Sequence, residues 1–161
     1  MIDIFGNVYK GHFYHGSKHG ECFSMQNDGS YYIGKMRNNR KNGYGVLTTE
    51  EFVYKGGFKD DYFEGLGAWD LKGTGVFQGN FQNGEPYGEG SLLKDGNLFF
   101  KGEFFGRNSC VGEIKFSRYD RYVGEVSYFK PEGKGVYTTR EERYEGEFKN
   151  GKYEGQGVLE M

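Results

Sequence analysis

The chain has 161 residues, 29 of them glycine, and its aromatic content of 19% is high against a hydrophobic total of only 35%. An ordinary two-layer core needs more aliphatic residues and a disordered chain has fewer rings, so the composition points instead to a repeat with fixed places for glycine and for aromatics. Net charge is −2 and neither half is biased, which leaves no nucleic-acid or polybasic membrane footprint.

Two cysteines make no disulfide framework, so a reducing compartment is expected. No apolar run reaches transmembrane length, and Met-Ile-Asp-Ile-Phe at the start is not read as a signal peptide. An intracellular setting is the expectation.

The first predicted hairpin begins at Tyr9. Tyr9-x-Gly11 is followed by Phe13, a turn at His15-Gly16, and then Gly20 and Cys22. The next aromatic-x-Gly comes at Tyr32/Gly34, with Met36 two residues on and Gly43-x-Gly45 beyond. The pattern recurs at Tyr54/Gly56 with Phe58, at Phe77/Gly79 with Phe81, at Phe100/Gly102 with Phe104, at Tyr122/Gly124 with Val126, and at Tyr144/Gly146 with Phe148. The steps are 23, 22, 23, 23, 22 and 22 residues. A Gly-x-Gly pair closes most of these units: Gly65/Gly67, Gly88/Gly90, Gly133/Gly135 and Gly155/Gly157. The fifth has Cys110 and Gly112 and a shorter loop.

Within each unit apolar or small residues alternate with charged ones, the period of a strand. In the last, Tyr144, Gly146 and Phe148 fall on one face, Glu145 and Glu147 on the other, and Lys149-Asn150-Gly151-Lys152 reads as the turn. Asn27-Asp28-Gly29-Ser30 and Lys94-Asp95-Gly96-Asn97 read as turns between units, whereas Thr48-Thr49-Glu50-Glu51 lacks glycine and has no turn type that the sequence assigns. The loop glycine of Gly16, Gly84 and Gly151 is replaced by Asn39, Asp61 and Phe129, which predicts altered hairpin loops in repeats two, three and six. The whole reads as an all-β, elongated, single-layer antiparallel β-meander solenoid, one domain over residues 1–161, of about fourteen strands. Its glycines Gly11, Gly34, Gly56, Gly79, Gly102, Gly124 and Gly146 are expected to be structural, covered by rings from a neighbouring strand.

This period and the pattern Tyr-x-Gly-x-aromatic, Gly, Gly-x-Gly resemble the MORN (membrane occupation and recognition nexus) repeat. Tyr144-Glu-Gly-Glu-Phe-Lys-Asn-Gly-Lys-Tyr-Glu-Gly-Gln-Gly-Val-Leu159 follows the family pattern throughout, and repeats one and five depart from it most. The resemblance implies an interaction module: MORN arrays accompany junctional membrane proteins, lipid kinases, radial-spoke heads and cytoskeletal scaffolds, with any chemistry in a separate domain.

No phosphate loop, dinucleotide fingerprint or nucleophile elbow is present, and Gly-x-Gly recurs in a way that marks it as architectural. His12, His15, His19 and Cys22 are zinc-capable types, but His12 points away from the ring face and His15 and His19 fall in the loop, so a polar loop with a buried thiol is the expectation. No cofactor and no metal are expected. Lys35, Arg37, Arg40 and Lys41 are too few for stable electrostatic membrane attachment.

The functional expectation is therefore a non-enzymatic scaffold that binds a protein partner along an open aromatic stripe, with Tyr32, Tyr54, Phe58, Trp69, Phe77, Phe81, Phe100 and Phe104 as the binding residues. A homodimer through the terminal strands is a further association the sequence allows, a lipid surface is the weaker alternative partner, a non-catalytic regulatory subunit of an enzyme complex is the other alternative, and nucleic acid is not expected. The resemblance implies a cytoplasmic, cytoskeletal or ciliary assembly.

Overall fold

A computed structural model describes residues 1–106 and 108–161. Among them there are fourteen strands and no helix. They are β1 (Val8–Tyr14), β2 (Ser17–Met25), β3 (Tyr31–Arg37), β4 (Arg40–Thr48), β5 (Phe52–Lys59), β6 (Tyr62–Leu71) and β7 (Gly75–Gln82), then β8 (Glu85–Lys94), β9 (Asn97–Phe105), β10 (Cys110–Lys115), β11 (Arg121–Ser127), β12 (Lys130–Thr138), β13 (Arg143–Lys149) and β14 (Lys152–Glu160). The antiparallel sheet follows chain order from β1 to β14, seven hairpins in succession. The chain falls into two compact units, Met1–Glu85 and Pro86–Met161.

In the first unit the register lines up Gly34↔Gly45, Gly45↔Gly56, Gly56↔Gly67 and Gly67↔Gly79 across successive strands, with Gly11↔Cys22↔Gly34 leading into the row. In the second, Gly90↔Gly102↔Gly112↔Gly124↔Gly135↔Gly146↔Gly157 does the same. Each row is a strip of bare backbone, which weakens a sheet unless something packs over it. The motif ring does so from two residues away on its own strand. A Cβ on Gly67 would stand 2.6 Å from the Tyr54 hydroxyl, and one on Gly146 would stand 2.6 Å from that of Tyr144. Phe100 covers Gly102 and Gly112 in the same manner.

The hairpins of repeats one, two, three, six and seven carry a bulge just after the motif glycine. A bulge takes a carbonyl out of the ladder, and the tyrosine hydroxyl donates to it: Tyr9 to His12 O at 3.0 Å, Tyr32 to Lys35 O at 2.8 Å, Tyr54 to Gly57 O at 3.0 Å, Tyr122 to Glu125 O at 2.7 Å and Tyr144 to Glu147 O at 3.3 Å. Repeat five has phenylalanine at this place, and its β9–β10 register, Gly102↔Gly112 to Phe104↔Cys110, contains no shift. With no bulge there is no carbonyl in need of a hydroxyl. The first glycine of Gly-x-Gly serves the same bulge. Gly65 sits at φ +70, a left-handed conformation that suits glycine, and Cys110, at the equivalent place without a bulge, has no positive φ.

The expectation of altered loops in repeats two, three and six is overturned. Asn38-Asn39, Asp60-Asp61 and Tyr128-Phe129 form two-residue turns with both φ angles positive, as His15-Gly16, Asn83-Gly84 and Asn150-Gly151 do. Asn and Asp tolerate that region through their short polar side chains. They also add bonds to the preceding hairpin: Asn39 Oδ1 accepts from Lys18 N at 2.8 Å and Asp61 Oδ1 from Lys41 N at 2.9 Å. The glycine-free linkers close on a hydroxyl: Thr49 Oγ1 accepts from Glu51 N and Phe52 N, and Thr139 and Ser117 act alike.

Candidate interaction groove

The eight rings expected to form an open stripe are buried. Tyr32, Tyr54, Phe58, Trp69, Phe77, Phe81, Phe100 and Phe104 are all core residues, with Tyr54 and Phe100 fully enclosed. Their edge-to-face contacts explain it. Where the residue four positions on is also a ring the two meet, as in Tyr54–Phe58 at 5.2 Å and Phe100–Phe104 at 5.3 Å, and Tyr32 and Tyr54 also meet that ring of the next repeat, Tyr32–Phe58 at 5.2 Å and Tyr54–Phe81 at 5.1 Å. The stripe thus closes on itself as a zipper, and its expected openness is corrected to a core role.

A second layer covers the motif ring from outside, nine residues along the chain. Lys18 Nζ lies 4.8 Å from the Tyr9 ring centroid and Lys41 Nζ 5.6 Å from that of Tyr32. Phe63 stacks on Tyr54 at 3.7 Å and Tyr153 on Tyr144 at 3.8 Å. Pro131, which is buried, occupies the same place in repeat six. In repeat five, whose loop is one residue shorter, the place falls to exposed Asn108, and the missing cover comes from the next hairpin: the Phe129 ring lies 5.9 Å from Phe100 and 6.3 Å from Phe104. An aromatic turn residue at φ 57 is a strained choice, and this contact is what it achieves.

The open aromatic surface lies on other residues. In the second unit Phe99, Phe116, Tyr137 and Tyr153 form a row with successive centroids 6.2, 6.0 and 6.2 Å apart. Phe116 is 47% and Tyr153 40% exposed. With Pro131, Phe148, Gly151 and Lys152, the last three rings line a groove of about 430 Å³. Glu142 Oε1 accepts the Tyr153 hydroxyl at 3.0 Å. Burial first, and then that bond, hold the Tyr153 hydroxyl up at a pKa of about 12. The Tyr137 hydroxyl is likewise raised, by burial and then by the charges of Asp120 and Glu142.

Sequence reading missed this row because its four members hold four different repeat positions. The signal was present in Pro131 and Tyr153, both nine residues after a motif tyrosine.

In the first unit a second cavity of about 350 Å³ includes Lys18, Ser24, Tyr32, Asn39, Lys41 and Asp61 in its lining, and its Lys41 ammonium is 3.5 Å from Asp61. Cys22 and Cys110 are both free and buried, and burial pushes the Cys110 thiol up to about 12 and raises that of Cys22. His12 faces His19 across the first hairpin and His15 occupies its turn. Among the described residues no group of three His, Cys, Asp or Glu is placed to hold a metal ion, and no helix is long and apolar enough to cross a membrane.

Over 147 residues the chain is 30% identical to alsin of Rattus norvegicus, Mus musculus and Homo sapiens; the match covers 83% of this chain and 9% of alsin. The MORN repeat family model matches residues 32–50, 54–69, 77–97, 122–140 and 144–160. The unmatched stretches contain repeats one and five, where Cys22 and Cys110 stand in for glycines. These matches cover more than half of the sequence, and the chain belongs to the MORN repeat family.

Proposed function

We propose that this chain is a non-enzymatic scaffold or adaptor that takes a segment of a protein partner into the aromatic groove of Phe116, Tyr137 and Tyr153. The observation that carries this reading is a row of part-exposed rings lining a concave surface, on a sheet whose other motif rings are used up as core. MORN repeats are interaction modules for proteins or membrane lipids. An intracellular assembly, cytoskeletal or ciliary, is the proposed setting. A lipid surface is the weaker partner, since Lys18 and Lys41 are already engaged on tyrosine rings and Lys41 on Asp61.

Site-specific photo-crosslinking tests the proposal. A benzophenone side chain in place of Phe116 is expected to give protein adducts in cells that disappear when Tyr153→Ala is added. The same probe in place of Leu66, which is exposed in the first unit, is expected to give none of them. Equal adducts from both positions would remove the groove from the reading.

A further inference from the structure

The groove of the second unit has a chemistry more specific than apolarity. Ring faces on this part of the sheet already hold cations of the chain itself: Lys94 Nζ lies 3.7 Å from the Phe99 centroid, and the Arg140 guanidinium carbon 3.3 Å from that of Tyr119. The rings between, Phe116, Tyr137 and Tyr153, carry no such cation among the described residues. Carboxylates stand beside them. Glu142 touches the Tyr153 hydroxyl, and Asp120, whose carbonyl accepts from Phe116 N at 2.9 Å, joins Glu142 in acting on the Tyr137 hydroxyl. Neither carboxylate is in an ion pair among the described residues. One cation, Lys152, lines the groove beside Gly151, at the hairpin-loop end of β14.

We propose that the occupant of this groove is a basic peptide segment, whose arginine or lysine side chains lie on the Phe116, Tyr137 and Tyr153 rings and pair with Asp120 and Glu142. This rests on the reading of the groove as a protein-docking site and adds the charge of the partner to it. Two features select a cation over a neutral apolar chain. A cation over a ring face gains more when it is partly desolvated, and a carboxylate within reach converts that contact into a charge-assisted hydrogen bond. An acidic segment would meet both carboxylates at close range and be rejected.

The test pans a random-peptide phage library over the folded full chain. Arginine- and lysine-rich peptides are expected to be enriched. Their binding is expected to weaken roughly tenfold in Phe116→Ala and again in the pair Asp120→Asn with Glu142→Gln, and to strengthen in Lys152→Glu. Circular dichroism matching that of the unsubstituted chain shows that the exposed variants keep the sheet. Enriched peptides that are neutral or acidic yet still lose binding in Phe116→Ala would overturn the basic occupant and leave the docking reading standing. Peptides indifferent to Phe116→Ala would overturn both, as would Phe116-dependent binding confined to phosphatidylserine vesicles.

Discussion

At the scale of single residues, one tyrosine does two jobs in each regular hairpin. Its ring roofs the glycine pair and its hydroxyl satisfies the carbonyl freed by the bulge. Tyr122 shows this most fully, with its hydroxyl also within 3.2 Å of Glu132 O and 3.3 Å of Lys134 O. Tyr122→Phe is expected to cost about 1–2 kcal/mol in chemical denaturation, because it leaves a carbonyl without its donor. Phe100→Tyr is expected to bring no gain, since the β9–β10 pairing has no bulge to serve. The glycines set the opposite limit. Gly67→Val forces a branched side chain against the Tyr54 ring and is expected to cost about 1–3 kcal/mol. Glu145→Val, on the exposed face, is expected to stay within about 0.5 kcal/mol. Comparable melting shifts for these last two would show that the roofing account is wrong.

At the scale of the element, the hairpin turn is uniform while its residues are not. Tyr128 and Phe129 both adopt left-handed φ, at 49 and 57, but only Phe129 has a packing reason to do so. Tyr128 is 69% exposed, and its hydroxyl accepts a surface hydrogen bond from Asn108 Nδ2. Tyr128→Asn is therefore expected to stabilise the protein by about 0.5–1 kcal/mol, because asparagine tolerates the turn conformation that tyrosine resists. Phe129→Gly relieves the same kind of strain but strips the cover from Phe100. Burial of a phenylalanine side chain is worth about 1.5–3 kcal/mol, so the net expectation is destabilisation. Thermal melts of the two variants in parallel separate strain from packing.

At the scale of the whole molecule, the enclosed tyrosines tie stability to alkaline pH. Burial pushes the hydroxyls of Tyr54 and Tyr122 up from 10.0 to about 12. A folded-state value above the unfolded one means that the unfolded chain releases its protons first as pH rises. The stabilisation is complete below pH 10 and is lost as pH climbs toward about 12. Most of the tyrosinate absorbance from these residues is expected to appear together with loss of the β-sheet circular dichroism. Tyrosinate forming well before the sheet is lost would mean that the rings are not enclosed. The groove behaves differently: Phe116 is half-exposed and its ring neighbours are Phe99 and Tyr137, not Tyr54 or Tyr122, so Phe116→Ala is expected to leave this alkaline transition in place.

The repeat, its hairpins and the face of each strand were legible in the sequence, because the period of about 22 residues and the alternation within each unit are local properties of the chain. The roofing of glycine by a ring of a neighbouring strand was legible too, as Tyr54 over Gly67 shows, but the cover of Gly56 by the same ring from its own strand was not foreseen. The open surface was not legible. Whether a ring is buried depends on what the returning strand or the next hairpin places over it, and that partner comes from a different repeat position: Phe63 on Tyr54 and Tyr153 on Tyr144 within one hairpin, Phe129 on Phe100 from the next. The loops were misjudged for a related reason, as the turn geometry is imposed by strand register and inter-hairpin bonds as well as by its own two residues. The motif alone determined that rings would face one side of the sheet. Only packing between strands, within a hairpin and between successive ones, decided which of them would meet solvent, because cover is a property of neighbours in space that the periodicity of one strand does not contain.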